Sequence, residues 1–228
     1  MFEKAFSEEY LKNYYFVNIR TKIHISGNDR INRLNFEKHL TDNLSVISRK
    51  CQNGSYRFTP YRGVLIRKGY DKLPRIIAIA GIRDRVVLGI LKELLFLCYN
   101  DIKLELVQTK IQSIKSCIAY FDTCIKIDIS DFFGSIEHTL LKNKLKQHIL
   151  DDRIITLIFN AINTPTTNEN FKDNRINKLH RGIPQGIAIS NVLAEIYFRE
   201  IDIKYSKLQG LKYFRYVDDS VPRAKRVE

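Results

Sequence analysis

Apolar and polar positions along the chain follow two periods, and each change of period marks a new element. Residues 8–48 carry apolar positions at roughly helical spacing. "GVLIRK" (63–68) and "RIIAIA" (75–80) are β-rich runs. "GYDKLP" joins them, and its turn residues Gly69, Asp71 and Pro74 predict a hairpin. "RDRVVLGILKELLFLC" (83–98) has the spacing of an amphipathic helix, and "TCIKIDI" (123–129) alternates with period two, as a strand does. Residues 137–149 and 151–162 read as helices, with Asp151 and Asp152 as favourable negative charges at the start of the second. The polar stretch "TPTTNENFKDNRINK" (164–178) predicts a loop or a small extra hairpin. In "AISNVLAEIYFREIDIKYS" (188–206), Ile189, Val192, Leu193, Ile196, Tyr197 and Ile201 share one helical face, with Ser190 as N-cap. "LKYFRYV" (211–217) predicts a strand, and the two acids after it a turn. The irregular succession of helices and strands predicts an α+β fold, not the strict rhythm of a doubly wound sheet.

Composition narrows the partners. The 228 residues suit one large domain or two small ones, and 44% hydrophobic residues can bury a sizeable core. With 38 Lys+Arg against 25 Asp+Glu the net charge is +13, spread along the chain and not gathered in a tail. That favours a basic groove for a polyanion, most simply nucleic acid, over a disordered arm. Cys51, Cys98, Cys117 and Cys124 form no CxxC pair and the five histidines show no ligand spacing, which argues against structural zinc. Reduced thiols predict a cytoplasmic setting. "MFEKAFSEEY" has no apolar core and is not a signal peptide. Lys92 and Glu93 interrupt the most apolar helix, Val86 to Cys98, which is too short and too charged to span a membrane.

The candidate chemistry lies in carboxylates at strand ends. "RYVDDS" (215–220) ends an apolar run with Asp218 and Asp219, and "KIDISDFF" (126–133) ends another with Asp128, followed by Asp131. Adjacent strands would bring Asp128 and Asp218 together. Converging carboxylates repel unless a hard cation lies between them, and Mg²⁺ prefers a few carboxylates plus substrate phosphates. The pattern therefore predicts metal-assisted phosphoryl transfer. Taken singly, each acid reads as a solvated turn residue; the two stretches together weaken that reading. A third stretch, "RGIPQGIAIS" (181–190), turns through Pro-Gln-Gly into the long helix. Gly186 leaves room for a close approach, and Gln185 offers both a donor and an acceptor.

"DISDFF", "GIPQG" and "YVDD", in this order, resemble palm motifs A, B and C of reverse transcriptases. "YRFTPYRGVLIRKGYDKLPRIIAIAGIRDRVVLGIL" (56–91) resembles the fingers of bacterial members, so the resemblance covers roughly residues 30 to 219. It implies a right-hand polymerase with fingers and palm, and an RNA-directed DNA polymerase activity. Asp128 and Asp218 would bind two Mg²⁺ ions (Mn²⁺ is the alternative), with Asp219 in support. Phe133 falls where the family places the aromatic residue that blocks a ribose 2′-hydroxyl. Gln185 and Gly186 would line the nascent base pair, and Lys68 and Arg75 would hold the triphosphate. For these two, a solvated basic hairpin is the rival reading; for Phe132 and Phe133 it is plain core. The implied partners are an RNA template or structured non-coding RNA, a DNA primer or product, and dNTPs, with no membrane. Motif B has no proline after Gln185, which with "YRFTP" resembles the abortive-infection and defence-associated bacterial group more than the intron or retron groups.

The resemblance assigns residues 1–120 to N-terminal helices and fingers, with the basic hairpin at 61–80, and residues 121–219 to the palm. Residues 220–228 become a short tail. After Asp219, "SVPRAKRVE" contains Pro222 and lacks an alternating apolar pattern, so the strand that should return beside "LKYFRYV" is expected to be absent or badly made. The thumb and the end of the palm are expected to be missing, and the chain by itself is expected to bind nucleic acid weakly and not to extend a primer. A catalytically silent nucleic-acid-binding palm module is the second reading, which retention of Asp128, Asp218 and Asp219 disfavours. A primer-independent RNA polymerase of related fold is the third, disfavoured by Phe133 and "YVDD".

Overall fold

The computed structural model describes residues 1–22, 25–67, 69, 74–117, 120–121, 123–167, 180–217 and 219–224. The chain opens with helices α1 (Phe2–Ala5) and α2 (Glu8–Tyr14), a π-helical turn (Tyr15–Ile19), and helices α3 (Arg33–Lys38) and α4 (Leu40–Gln52). Ser7 and Asn32 cap α2 and α3 by accepting from the backbone N–H three residues on. Strands β1 (Tyr61–Ile66) and β2 (Arg75–Ile79) follow, then α5 (Ile82–Cys98) and α6 (Val107–Cys117). The second half runs β3 (Thr123–Cys124), β4 (Ile127–Asp128), α7 (Phe132–Ser135), α8 (His138–Lys146), α9 (Asp152–Ile162), β5 (Thr166–Thr167), α10 (Ser190–Ser206), β6 (Leu211–Tyr216) and β7 (Asp219–Ala224).

Two small sheets result. In the first, β1 pairs antiparallel with β2, Ile66 opposite Arg75, and parallel with β5, giving the order β2-β1-β5. This is the predicted basic hairpin. In the second sheet β7 is central: β6 runs antiparallel along one side, and β3 and β4 along the other. One apolar cluster joins the N-terminal helices, α5, α8, α9 and α10. Helix α5 is its spine, with Val86, Val87, Leu88, Ile90, Leu91, Leu94 and Leu95 all buried. A helix apolar on nearly every side has to be enclosed, and that fixes its central place.

Several sequence expectations change. The returning strand exists: β7 covers six residues, runs through Pro222 and holds the middle of its sheet. The predicted tail is thus in part a strand of the second sheet. Its proline is accommodated by a gap. Thr123–Cys124 pair with Arg223 and Ala224, and Ile127–Asp128 with Asp219 and Ser220. Extending that register sets Ile125 and Lys126 opposite Pro222 and Val221, where the ladder is interrupted, so the missing N–H of proline leaves no ladder bond unmade there. For the same reason the predicted strand 123–129 is two short strands. Asp219 belongs to β7, not to the turn that begins at Val217. Of the polar stretch 164–178, Thr166–Thr167 form β5; residues 168–178 lie outside the described residues. Ile201 is 42% exposed and leaves the apolar face assigned to it. Ser190 begins α10 instead of capping it, and its hydroxyl donates to the Pro184 carbonyl. Among the described residues, no helix is long and apolar enough to cross a membrane.

Asp84, in the first turn of α5, is 2% exposed. Its carboxylate accepts from the Tyr56 hydroxyl at 2.7 Å and the Thr59 amide at 3.1 Å. These bonds tie "YRFTP" to the start of the spine helix. Burial pushes the Asp84 carboxyl up to about 6 from its ordinary 3.8, against the opposing effect of those hydrogen bonds. The folded protein therefore holds this proton more tightly than the unfolded chain does. The resulting stability is complete below pH 3.8 and is lost as pH rises through about 6, a change of roughly 3 kcal/mol. In Asp84→Asn, urea unfolding measured from pH 4 to 7 is expected to lack that decline.

Candidate active site

The site is assembled by strand register. In the β4–β7 ladder Asp128 stands directly opposite Asp219, and in the β6–β7 ladder Tyr216 stands opposite Asp219 on its other side. Motif A and motif C are therefore neighbours, as expected, but the residue at the register position across from Asp128 is Asp219; Asp218 lies outside the described residues. Asp128 is exposed. Among the described residues, no three His, Cys, Asp or Glu side chains gather as a metal site.

The β6–β7 turn begins at Val217. Val217 takes a left-handed conformation, φ 55°. Two-residue hairpin turns want positive φ, but a β-branched residue resists it. Arg215 holds the turn from beneath: its Nη1 donates to the Val217 carbonyl at 3.0 Å. The Arg215 side chain is 4% exposed and sits between Glu195 and Asp202 of α10, with 2.5 Å contacts to each. The Tyr213 hydroxyl donates to Asp202, and the guanidinium lies 5.5 Å from the centre of the Phe198 ring. Burial works against the arginine's charge, but the Asp202 hydrogen bonds and the Glu195 charge outweigh it and raise its pKa. Sequence reasoning missed this cluster. Its signal was two acids seven positions apart, hence on one face of a helix, beside an arginine two residues before the acidic turn.

The motif B loop is pinned on two sides. Toward the palm, the Gly182 amide donates to the Ile136 carbonyl at 2.8 Å and the Ile183 amide to the Phe133 carbonyl at 2.9 Å. His138 Nε2 lies 2.7 Å from the Gly182 carbonyl. Toward the fingers, the Ala78 amide donates to the Gln185 carbonyl at 2.7 Å. Gly186 has φ 105°, and a Cβ there would meet Ile77 Cγ2 at 2.6 Å and the Ala78 carbonyl at 2.8 Å. The close approach this glycine permits is to β2. Phe133 is 9% exposed and packs edge-on to Phe132 at 5.2 Å, as part of the core. Arg75 is half-buried at the start of β2, and Gln185 is half-buried in the loop. Lys68 lies outside the described residues.

A family profile described as "Reverse transcriptase (RNA-dependent DNA polymerase)" matches residues 66–226. The chain is 25% identical over 169 residues to the "Putative COX1/OXI3 intron 2 protein" of Saccharomyces cerevisiae, covering 70% of this chain and 19% of that protein. It is 25% identical over 193 residues to "Protein YkfC" of Escherichia coli, covering 78% of this chain and 49% of the other. The chain thus spans half or less of the length of these relatives. Among solved structures, the "Partial Cas6-RT-Cas1--Cas2 complex" matches 98% of this chain and 38% of its own, with a TM-score of 0.54 at 18% identity. At that identity the likeness is one of fold: a partial fingers and palm.

Gly186→Ala is expected to destabilise the protein by about 2–4 kcal/mol, from left-handed strain plus the clash with β2. Gly210→Ala is the control, since φ is 73° there but nothing lies within 4 Å. Urea unfolding of both variants should show the larger loss at Gly186.

Proposed function

The chain belongs to the reverse transcriptase family, and from that premise we propose that it forms the fingers and palm of an RNA-directed DNA polymerase, adding dNTPs to a primer 3′-hydroxyl opposite an RNA template. The observation that carries the proposal is the register that sets Asp128 across from Asp219. Directly opposed positions hold their Cβ atoms about 4.5–5.5 Å apart, where like charges destabilise a sheet. A binding module has no use for that cost; a metal site does.

The donor set fits a hard divalent cation, because the acids offer only carboxylate oxygens. Asp128, Asp218 and Asp219 would hold two Mg²⁺ ions. Bound there, such ions would supply acidification of the primer hydroxyl and neutralisation of the triphosphate. The remaining roles belong to the chain itself. Arg75 and Lys68, on the fingers hairpin, would steer and hold the triphosphate. The Phe133 ring, fixed by its packing, would wall off the ribose 2′ position. Gln185 and Gly186 would line the nascent base pair, in a loop held rigid by both fingers and palm. The net charge of +13 suits the nucleic-acid backbone. A role in bacterial anti-phage defence is the finer part of the proposal. It is supported by the absence of a proline after Gln185 in motif B and by likeness in fold to a chain of the "Partial Cas6-RT-Cas1--Cas2 complex".

Asp128→Asn removes one of the opposed charges at nearly constant volume. In chelator-treated buffer this variant is expected to be more stable than the wild type by up to about 1 kcal/mol. Millimolar Mg²⁺ should raise the melting temperature of the wild type and leave the variant unchanged. Thermal unfolding with and without Mg²⁺ checks this, and an equal response in both proteins would contradict it. The activity counterpart, read in a version of the chain extended with natural downstream sequence, is Mg²⁺-dependent extension of a DNA primer on an RNA template, abolished by Asp128→Asn.

A further inference from the structure

We infer that Arg215 is a positioning residue for the acidic turn, a clamp that locks the β6–β7 hairpin to α10 and holds Val217 in its left-handed conformation. The inference deepens the metal-site reading above and rests on it for the consequence, though not for the clamp itself.

The geometry accounts for the full donor capacity of the side chain. A guanidinium has five N–H donors in a rigid fork. Nε donates to Asp202 Oδ1 at 2.8 Å, and Nη2 to Asp202 Oδ2 at 2.5 Å and Glu195 Oε2 at 2.5 Å. Nη1 donates to Glu195 Oε1 at 3.2 Å and to the Val217 carbonyl at 3.0 Å. Two carboxylates are thus each gripped by two bonds, and the fifth donor is left for the turn. Glu195 and Asp202 are two helical turns apart, so the fork bridges them and cannot swing without breaking both pairs. Phe198 covers the guanidinium plane.

This rigidity has a specific beneficiary. A valine at φ 55° is a conformation that persists only where its surroundings over-determine it. The bond from Nη1 to its carbonyl supplies that constraint from two residues away. Asp219, two positions after Val217, stands across from Asp128. Lysine at 215 would keep the charge but has only three donors on a single nitrogen, and cannot span Glu195, Asp202 and the carbonyl together. Glycine at 217 would adopt positive φ without help.

The test uses hydrogen exchange followed by mass spectrometry, with Mn²⁺ affinity measured by electron paramagnetic resonance. In Arg215→Lys, amides of the β6–β7 turn should exchange at least tenfold faster while those of α5 keep their wild-type rate, and Mn²⁺ should bind about five- to tenfold more weakly. Adding Val217→Gly to Arg215→Lys should restore most of the Mn²⁺ affinity, a rescue that a merely structural role for Arg215 would not give. Glu195→Gln, which loosens the clamp without removing the arginine, should move both readings the same way by a smaller factor, and serves if Arg215→Lys does not fold. Unchanged turn exchange, or acceleration shared equally with α5, would overturn the clamp. So would failure of the glycine rescue. Mn²⁺ binding that is indifferent to Asp128→Asn in an otherwise wild-type chain would overturn the metal-site reading instead, and turn exchange would still decide the clamp.

Discussion

The central constraint in this fold is the register of β7 between its two neighbours. In an antiparallel ladder a slip of one residue reverses the face of every side chain, so which acid meets Asp128 is set by whole-residue steps. The turn that begins at Val217, closed by the Tyr216–Asp219 pair, fixes the β6 side. On the other side, the interruption at Ile125 and Lys126 faces Pro222 and Val221, and a shifted ladder would ask the proline for a donor it lacks. Local turn geometry and one proline thereby determine a contact between residues 91 positions apart in sequence (219 − 128).

That register would mean little if the sheet and the hairpin β1–β2 were independent. The segment 181–187 connects them. It bonds to the Phe133–Ile136 stretch that follows motif A and, through Gln185, to β2. From Ser190 the chain continues as α10, whose Glu195 and Asp202 grip Arg215 behind the acidic turn. One stretch of chain therefore touches the fingers, the segment after Asp128 and the hairpin that carries Asp219. A reaction that needs metal ligands, triphosphate and template in fixed relation requires such coupling, since small misplacements of reacting groups are costly in rate.

Much of this was legible in the sequence because it rests on side-chain pattern. The turn residues Gly69 and Pro74 announced the hairpin, and the apolar periodicity of α5, α9 and α10 announced the helices. The neighbourhood of the two acid-bearing strands was legible because each apolar run ends in an acid, and the register sets Asp128 across from Asp219. What escaped notice depends on backbone or on partners distant in sequence. β7 lacks an alternating apolar pattern, and the main-chain bonds that pair it leave no trace in side-chain pattern, so it read as a tail. α6 buries none of its residues, which leaves no buried stripe to mark it. Arg215 read as one more basic residue because its burial is conferred by acids 13 and 20 positions earlier. Gly186 was read as leaving room for a base or sugar, and what the structure shows is that a Cβ there would meet β2.

The central claim is that one cation site is shared by two strands brought together by register. Paramagnetic broadening by Mn²⁺ in an amide NMR spectrum of the isotopically labelled chain tests it most directly. The account predicts that substoichiometric Mn²⁺ broadens the amides around Asp128 and those around Asp219 together, at the same concentration, and leaves those of α4 sharp. Broadening of one stretch without the other, or of acidic residues across the surface alike, would contradict it.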